Sequence, residues 1–321
     1  MRIAIIGASG IGKHHAKWFA SEGCEVTAFV GRTPETVKAA EKALRDLFSF
    51  SGRAYTDVAE MLDREKPDAV SVCSPHHLHH AHTVAALRAG AHVLCEKPIF
   101  WDTSMSAEEM LSHAAHMIAE AEKANRVLAV NTQYVAAVVP YQEVYRQNWG
   151  EPRPIKSVFL QMESKGGRGG PNEYDEIWID LASHPISMLL AFLPGAEIIP
   201  GSIDCTIEHH RVLARFLARN PEQESVPIEI LLQNIFEGSP ARRMGINGRV
   251  VDIGAGPDAS GVYRTFLRWD SNQKQCDDLV HTSIKRFVAA AQGNAEPLAT
   301  SSHALHNLRL HLQILQHARR L

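Results

Sequence analysis

The chain opens with a repeating change of hydrophobic period. Ile3 to Ile6 is a continuous apolar run, as a strand buried on both faces requires, and Lys13 to Glu22 then spaces its apolar positions at the helical period. Val26 to Val30 is strand-like again and is ended by the breakers Gly31, Arg32, Thr33 and Pro34. Residues 35–47 predict a helix, and Asp57 to Arg64 predicts another with Thr56 as its cap. Ala69 to Cys73 predicts a strand ended by Ser74-Pro75, and His79 to Ala89 a helix closing on Gly90. His92 to Cys95 predicts a strand ended by Lys97-Pro98, Ala107 to Ala124 a long helix, and Val127 to Asn131 one more strand. Strands that alternate with helices in this way predict an α/β domain with a parallel, doubly wound sheet over residues 1–131.

The texture changes from residue 132 onward. Ile155 to Met162, Glu197 to Ile207, Val212 to Ala218, Ile228 to Phe236, Arg249 to Ile253 and Tyr263 to Trp269 read as longer strands with few helices between them. They predict an α+β second domain, 132–321, built on a mostly antiparallel sheet. A helix containing Ile186 to Phe192 interrupts the series, and helical patterns return around Ile284 to Ala291 and Ala304 to His317.

Composition acts here by exclusion. Apolar residues are 45% and charged residues 21% of 321, which excludes a disordered or fibrous chain. Net charge is −3, from 33 basic and 36 acidic residues, so no basic excess favours nucleic acid as a partner. The apolar run Met188 to Leu193 is far too short to span a membrane. Cys24, Cys73, Cys95, Cys205 and Cys276 are odd in number, widely spaced and without a C-x-x-C pair, which points to a reducing, cytoplasmic setting.

The first candidate chemistry follows the first strand. Gly7-Ala8-Ser9-Gly10-Ile11-Gly12 stands where a dinucleotide fingerprint requires small residues, between a strand and the helix it opens. Gly7 and Gly12 fit its outer positions, and Ser9 takes the middle one with Gly10 beside it. The turn is not a P-loop, because no G-K-[S/T] follows. At the end of the second strand an acidic residue would bind the ribose of NAD, and none is present. Arg32 can pair with a 2′-phosphate and Thr33 can hydrogen-bond to it, which favours NADP(H) and leaves NAD(H) as the alternative. Otherwise Arg32 stacks on adenine or lies in solvent.

The second candidate is a set of three. Lys97 ends the fifth strand-like run, where doubly wound sheets bind ligands, and Asp180 and His184 precede the apolar helix. A Lys, an Asp and a His suit alcohol–carbonyl interconversion, with one group moving a proton while nicotinamide carries the hydride. Asp180 could equally cap that helix. Pro185 makes an i, i+4 reading of Asp180 and His184 unsafe, since proline disfavours helical geometry in the residue before it.

These residues resemble one family. The glycine turn with His15, Tyr55-Thr56-Asp57, the run Asp68 to Pro75 with His79, and His92-Val93-Leu94-Cys95-Glu96-Lys97-Pro98 are similar to the glucose–fructose oxidoreductase / inositol dehydrogenase (Gfo/Idh/MocA) family. Asp180-x-x-x-His184 extends the likeness beyond the first domain. The resemblance implies a Rossmann domain followed by a domain with a large open sheet, and a sugar, cyclitol or related polyol as the small-molecule substrate. It also implies a homodimer or homotetramer formed through that sheet. It assigns Lys97, Asp180 and His184 to catalysis, with His184 taking the hydroxyl proton, Lys97 polarising the same oxygen and Asp180 orienting His184 or binding a neighbouring hydroxyl. Ser74, Pro75, His76, His79, Glu96, Lys97 and Gln133 join the glycine turn, Arg32 and Thr33 around the cofactor.

The chain departs from the family pattern in places. Ser187 stands where many relatives carry a second Asp, and Asn131-Thr132-Gln133-Tyr134 replaces a stretch that often contains Arg. Trp101 to Ser106 is an insertion. Lys165, Arg168, Asn172 and Tyr174, around the glycines at 166, 167, 169 and 170, either bind substrate or form a solvated loop. The histidine-rich run from His76 to His82 lacks the companion Cys or carboxylates of a metal site, so no metal is expected. Two other readings stay open: a glycoside hydrolase that recycles a tightly bound nicotinamide, and a catalytically silent nucleotide-binding sensor. A short-chain reductase is excluded, because no Tyr-x-x-x-Lys occurs.

Overall fold

A computed structural model describes residues 1–165 and 175–321. The expected glycine-rich loop, with Arg168, Asn172 and Tyr174, lies outside the described residues. The chain forms two compact units, one of Met1–Thr132 with Val280–Leu308 and one of Gln133–Leu279 with Arg309–Leu321.

The first unit alternates β1 (Arg2–Ile6), α1 (Gly12–Ser21), β2 (Glu25–Val30), α2 (Pro34–Leu47), β3 (Arg53–Tyr55), α3 (Val58–Glu65), β4 (Ala69–Val72), α4 (His79–Arg88), β5 (His92–Glu96), α5 (Ala107–Ala124) and β6 (Leu128–Asn131). Its six strands are parallel, in the order β3-β2-β1-β4-β5-β6. The order reverses at β1, so the carboxyl ends of β1 and β4 diverge, and such a crevice is where this topology binds ligands. β3 escapes the sequence pattern because it is a three-residue edge strand with Arg53 and Ala54 exposed. The cap of α3 is Asp57, whose Oδ1 accepts from the amide of Glu60 at 2.7 Å, not Thr56.

The second unit contains α6 (Val138–Trp149), β7 (Val158–Lys165), α7 (Glu176–Leu181), α8 (Ser183–Phe192), β8 (Glu197–Ile198), β9 (Asp204–Glu208), β10 (Arg211–Asn220), β11 (Gln223–Ile235), β12 (Arg242–Ile246), β13 (Arg249–Pro257), β14 (Tyr263–Trp269) and β15 (Asn272–Asp277). After α9 (Leu279–Ala291) and α10 (Ser301–Gln316), β16 (Ala318–Arg320) completes its sheet. The order is β15-β14-β13-β12-β7-β11-β10-β9-β16, with β8 paired to β10. Neighbours are antiparallel except β7 with β11 and β9 with β16. The run expected as one strand from Glu197 to Ile207 is split, because Pro200 and Gly201, at φ 75°, break it.

α9 belongs to the first unit. Val280, Ile284, Phe287 and Val288 are buried in one core with Ile3, Ile5, Phe19 and Phe29 of β1, α1 and β2. Phe287 meets Phe19 edge-on at 6.0 Å between ring centroids. Just before α10, Ala299 accepts from the amide of Val130 at 3.1 Å, so the edge strand β6 is covered.

Candidate active site

The glycine turn is built by close approach. Gly7 has φ 92°, and its amide donates to the Val30 carbonyl at 2.9 Å. A Cβ on Gly7 would lie 2.5 Å from the Cys73 carbonyl oxygen, and one on Gly12 would lie 2.2 Å from the Gly7 carbonyl oxygen. Only glycine satisfies both positions. Gly10 faces open space instead. Ile11, at the edge of exposure, directly precedes α1.

A cavity of about 410 Å³ opens at this crevice. Gly7, Ser9, Gly10 and Arg32 wall it on one side, and Ser74, Pro75 and His82 on the other. Thr36 and Thr56 also reach it. Thr33 is occupied elsewhere, since its hydroxyl accepts from the Thr36 amide at 3.3 Å and its amide donates to the Thr36 hydroxyl at 2.9 Å. That reciprocal pair is the capping box of α2, so Thr36 is the hydroxyl in the wall. A glycine turn opening a helix, with a guanidinium at the end of β2, fits a dinucleotide phosphate group.

The Lys97 turn is held from several directions. Lys97 is half-buried and joins Pro98 through a cis peptide. His79 is fully buried, with Nδ1 2.9 Å from the Pro98 carbonyl oxygen and Nε2 2.8 Å from that of Ser74. It ties the turn after β4 to the turn after β5. Burial lowers its pKa despite the two carbonyls, so the neutral ring donates to one of them at a time. His82 Nδ1 lies 2.9 Å from the Ser74 hydroxyl, and His76 sits in the short 3-10 turn before α4.

Beneath the turn lies a buried polar network. Glu96 Oε1 is 3.0 Å from His15 Nε2 and accepts from Asn131 Nδ2 at 2.6 Å. His15 Nδ1 is 2.8 Å from the Ser71 hydroxyl, and the amide of Lys97 donates to Glu96 Oε2 at 3.2 Å. Burial pushes the Glu96 carboxyl up, but His15, Asn131 and Lys97 together hold it at about 2. Burial pushes His15 down, but Cys73 and Glu96 outweigh it and raise the imidazole to about 10. The pair is therefore charged at neutral pH.

In the second unit, Gln133 heads a 3-10 turn, half-buried, with Tyr134 buried beside it. His184 is buried in the first turn of α8, and its ring meets that of Tyr134 edge-on at 4.9 Å between centroids. The Arg242 guanidinium lies over the other ring of that pair, 5.9 Å from the Tyr134 centroid. Pro185 is accommodated because a first-turn residue needs no intrahelical N–H partner. Asp180 is exposed inside α7, and Ala182 stands before α8, so Asp180 is not a cap. Asp180 and His184 thus sit on successive helices that join at Ala182.

Residues 1–132 match the model of an oxidoreductase family with an NAD-binding Rossmann fold. Over those residues the chain is similar to the Gfo/Idh/MocA oxidoreductases. It is 37% identical over 132 residues to D-glucoside 3-dehydrogenase of Escherichia coli (strain K12), covering 40% of this chain and 34% of that protein. The match therefore spans about a third of that relative's length. The whole chain superposes on UDP-N-acetylglucosamine 3-dehydrogenase from Acidithiobacillus ferrooxidans with a TM-score of 0.71 at 19% identity, over 99% of this chain and 97% of the other. A 3-ketoreductase from Actinomadura kijaniata, solved with NADP, gives a TM-score of 0.72 at 21% identity, over 100% and 98%. At these identities the likeness is one of fold. Among the described residues no helix is long and apolar enough to cross a membrane.

Thr36, Thr56, Cys73 and Tyr134 were not singled out by sequence reasoning as site residues. Thr36 carried a signal, since it lies one helical turn beyond Thr33. Tyr134 carried only its place beside Gln133.

Proposed function

We propose that this protein is an NADP(H)-dependent oxidoreductase acting on a hydroxyl-bearing carbon of a sugar, cyclitol or related polyol. The observation that carries the reading is Arg32 in the wall of the crevice cavity, at the end of a second strand with no acidic residue there. A guanidinium is a bidentate partner for a 2′-phosphate, whereas a carboxylate would repel it. Bound in the cavity, the nicotinamide nucleotide would supply or accept the hydride. Gly7, Gly10 and the start of α1 would hold its pyrophosphate, and Thr36 would add a hydroxyl beside Arg32. Lys97 would donate a hydrogen bond to the reacting oxygen. His184 would take that oxygen's proton during oxidation and return it during reduction. Asp180 would orient His184 or bind a neighbouring hydroxyl. The reading extends to a homodimer or homotetramer, which light scattering reads directly.

The test is a paired titration with NADPH and NADH after any bound nucleotide is extracted and identified. It is followed by turnover of scyllo-inositol, a methyl D-glucoside and UDP-N-acetylglucosamine with NADP+ and NAD+. Tight NADPH binding, weak NADH binding and turnover that is lost in Lys97→Ala and His184→Ala support the proposal. Equal turnover by Lys97→Ala would sink it. Nucleotide that copurifies and will not exchange favours the hydrolase, and binding of neither nucleotide favours the sensor.

A further inference from the structure

The network under the Lys97 turn has a form that stability alone does not explain. Four elements each contribute one polar side chain: His15 from α1, Ser71 from β4, Glu96 from β5 and Asn131 from β6. His15, Ser71 and Asn131 are wholly buried and Glu96 is nearly so. A buried ion pair is costly to desolvate, and apolar residues of the same volume commonly replace one without loss of stability. Asn131 adds to that cost, since among the described residues its buried Oδ1 has no partner while Nδ2 goes to Glu96. What such a network does well is to fix one geometry. It lies at the carboxyl ends of three parallel strands, where this topology places ligands.

The network converges on a single carboxylate. Glu96 Oε1 receives His15 and Asn131, and its Oε2 receives the amide of Lys97. On the far side of Lys97, the buried His79 lies with Nδ1 2.9 Å from the Pro98 carbonyl oxygen. The backbone at Lys97 is therefore clamped on both sides by buried side chains that lie outside the wall of the nucleotide cavity.

We infer that His15 and Asn131 are positioning residues that act through the Glu96 carboxylate to set where Lys97 presents its ammonium. The inference rests on the reading of Lys97 as the residue that meets the reacting oxygen. His15 is a positioning and not a catalytic residue, because the groups it touches are Glu96, Asn131, Ser71 and Cys73.

The experiment reads Lys97 itself and needs no substrate. Wild type, His15→Gln, Asn131→Asp, Glu96→Gln and the double variant His15→Gln/Glu96→Gln are treated with trinitrobenzenesulfonate at fixed pH. The rate of Lys97 modification is followed by peptide mass. Leu44→Ala, in the apolar core of the same unit, serves as a control for general destabilisation. The expected result is a rate changed severalfold in both His15→Gln and Asn131→Asp and unchanged in Leu44→Ala. The double variant is expected to match Glu96→Gln alone, since His15 acts through that carboxylate. Lys97 rates equal to wild type in both single variants, or independent effects in the double variant, would overturn the inference. A variant that does not fold is replaced by Ser71→Ala, which removes only the hydroxyl behind His15 and is expected to move the rate in the same direction. NADPH titration and turnover of the probe substrates run alongside. His15→Gln should lower kcat by about 10- to 100-fold while leaving the NADPH Kd within a few fold, as a misplaced catalytic group does. Lys97→Ala in the same assay separates the two claims. Retained turnover there removes the role of Lys97, whereas lost turnover with unchanged Lys97 labelling in the network variants removes only the positioning inference.

Discussion

A single Cβ decides the glycine turn. Gly7→Ala places a methyl group 2.5 Å from the Cys73 carbonyl at a φ that L-residues avoid. The expected cost is ~1–3 kcal/mol of stability, with a weakened affinity for NADPH, read by thermal melts and fluorescence titration. Arg32 makes a different kind of prediction, because its guanidinium stabilises only the phosphorylated cofactor. Arg32→Ala should weaken NADPH binding by ~1.5–3 kcal/mol, roughly ten- to a hundredfold, and leave NADH nearly unchanged. Equal losses for both nucleotides would mean that Arg32 stacks on adenine. The buried pair predicts a pH window. His15 is raised from 6.5 to about 10, so its contribution to stability is whole below 6.5 and is lost as pH rises through about 10. Glu96 is lowered from 4.5 to about 2, so its contribution is whole above 4.5 and is lost as pH falls through about 2. Melting temperature against pH should therefore fall on both sides of that window, and the alkaline limb should flatten in Glu96→Gln.

At the scale of elements, caps carry the discriminating prediction. Thr33 closes the capping box of α2, so Thr33→Ala should cost ~0.5–2 kcal/mol and leave the NADPH to NADH preference unchanged. A lost preference would return Thr33 to the phosphate. The elements of the first unit were largely legible, because buried parallel strands are unbroken apolar runs and their helices are bracketed by breakers. Ala107 to Ala124 is a helix over the expected span, opened by the Ser106–Glu109 capping box. β3 was not legible, since a short exposed edge strand has no hydrophobic alternation. Nor was β15, whose polar Asn272, Gln273 and Lys274 give it no hydrophobic alternation. The Lys97 turn and the glycine turn could be found because their residue types are forced by close contact. Tyr134 beside His184 could not, because it depends on a 3-10 turn and a helix meeting across fifty residues of chain.

The whole molecule divides its chain unevenly. A single boundary near residue 132 does not describe it, since Val280–Leu308 belongs with the first unit. Helical periodicity showed that α9 exists but carried no sign of which sheet it covers. Phe287, fully buried against Phe19, gives the test: Phe287→Ala should destabilise the first unit by ~3–5 kcal/mol and weaken NADPH binding only through that loss. A melt in which Phe287→Ala matches wild type would show that α9 adds nothing to that core. The return of α9 also has a consequence in time. A ribosome that has released residues 1–132 has released an unfinished Rossmann core, with the face that Phe287 will cover still wet. The closing helix follows after about 150 further residues, roughly 7–30 seconds at ordinary rates of elongation. For that interval the nascent chain carries an open apolar face, and the dinucleotide domain waits for a helix made only after most of the second unit.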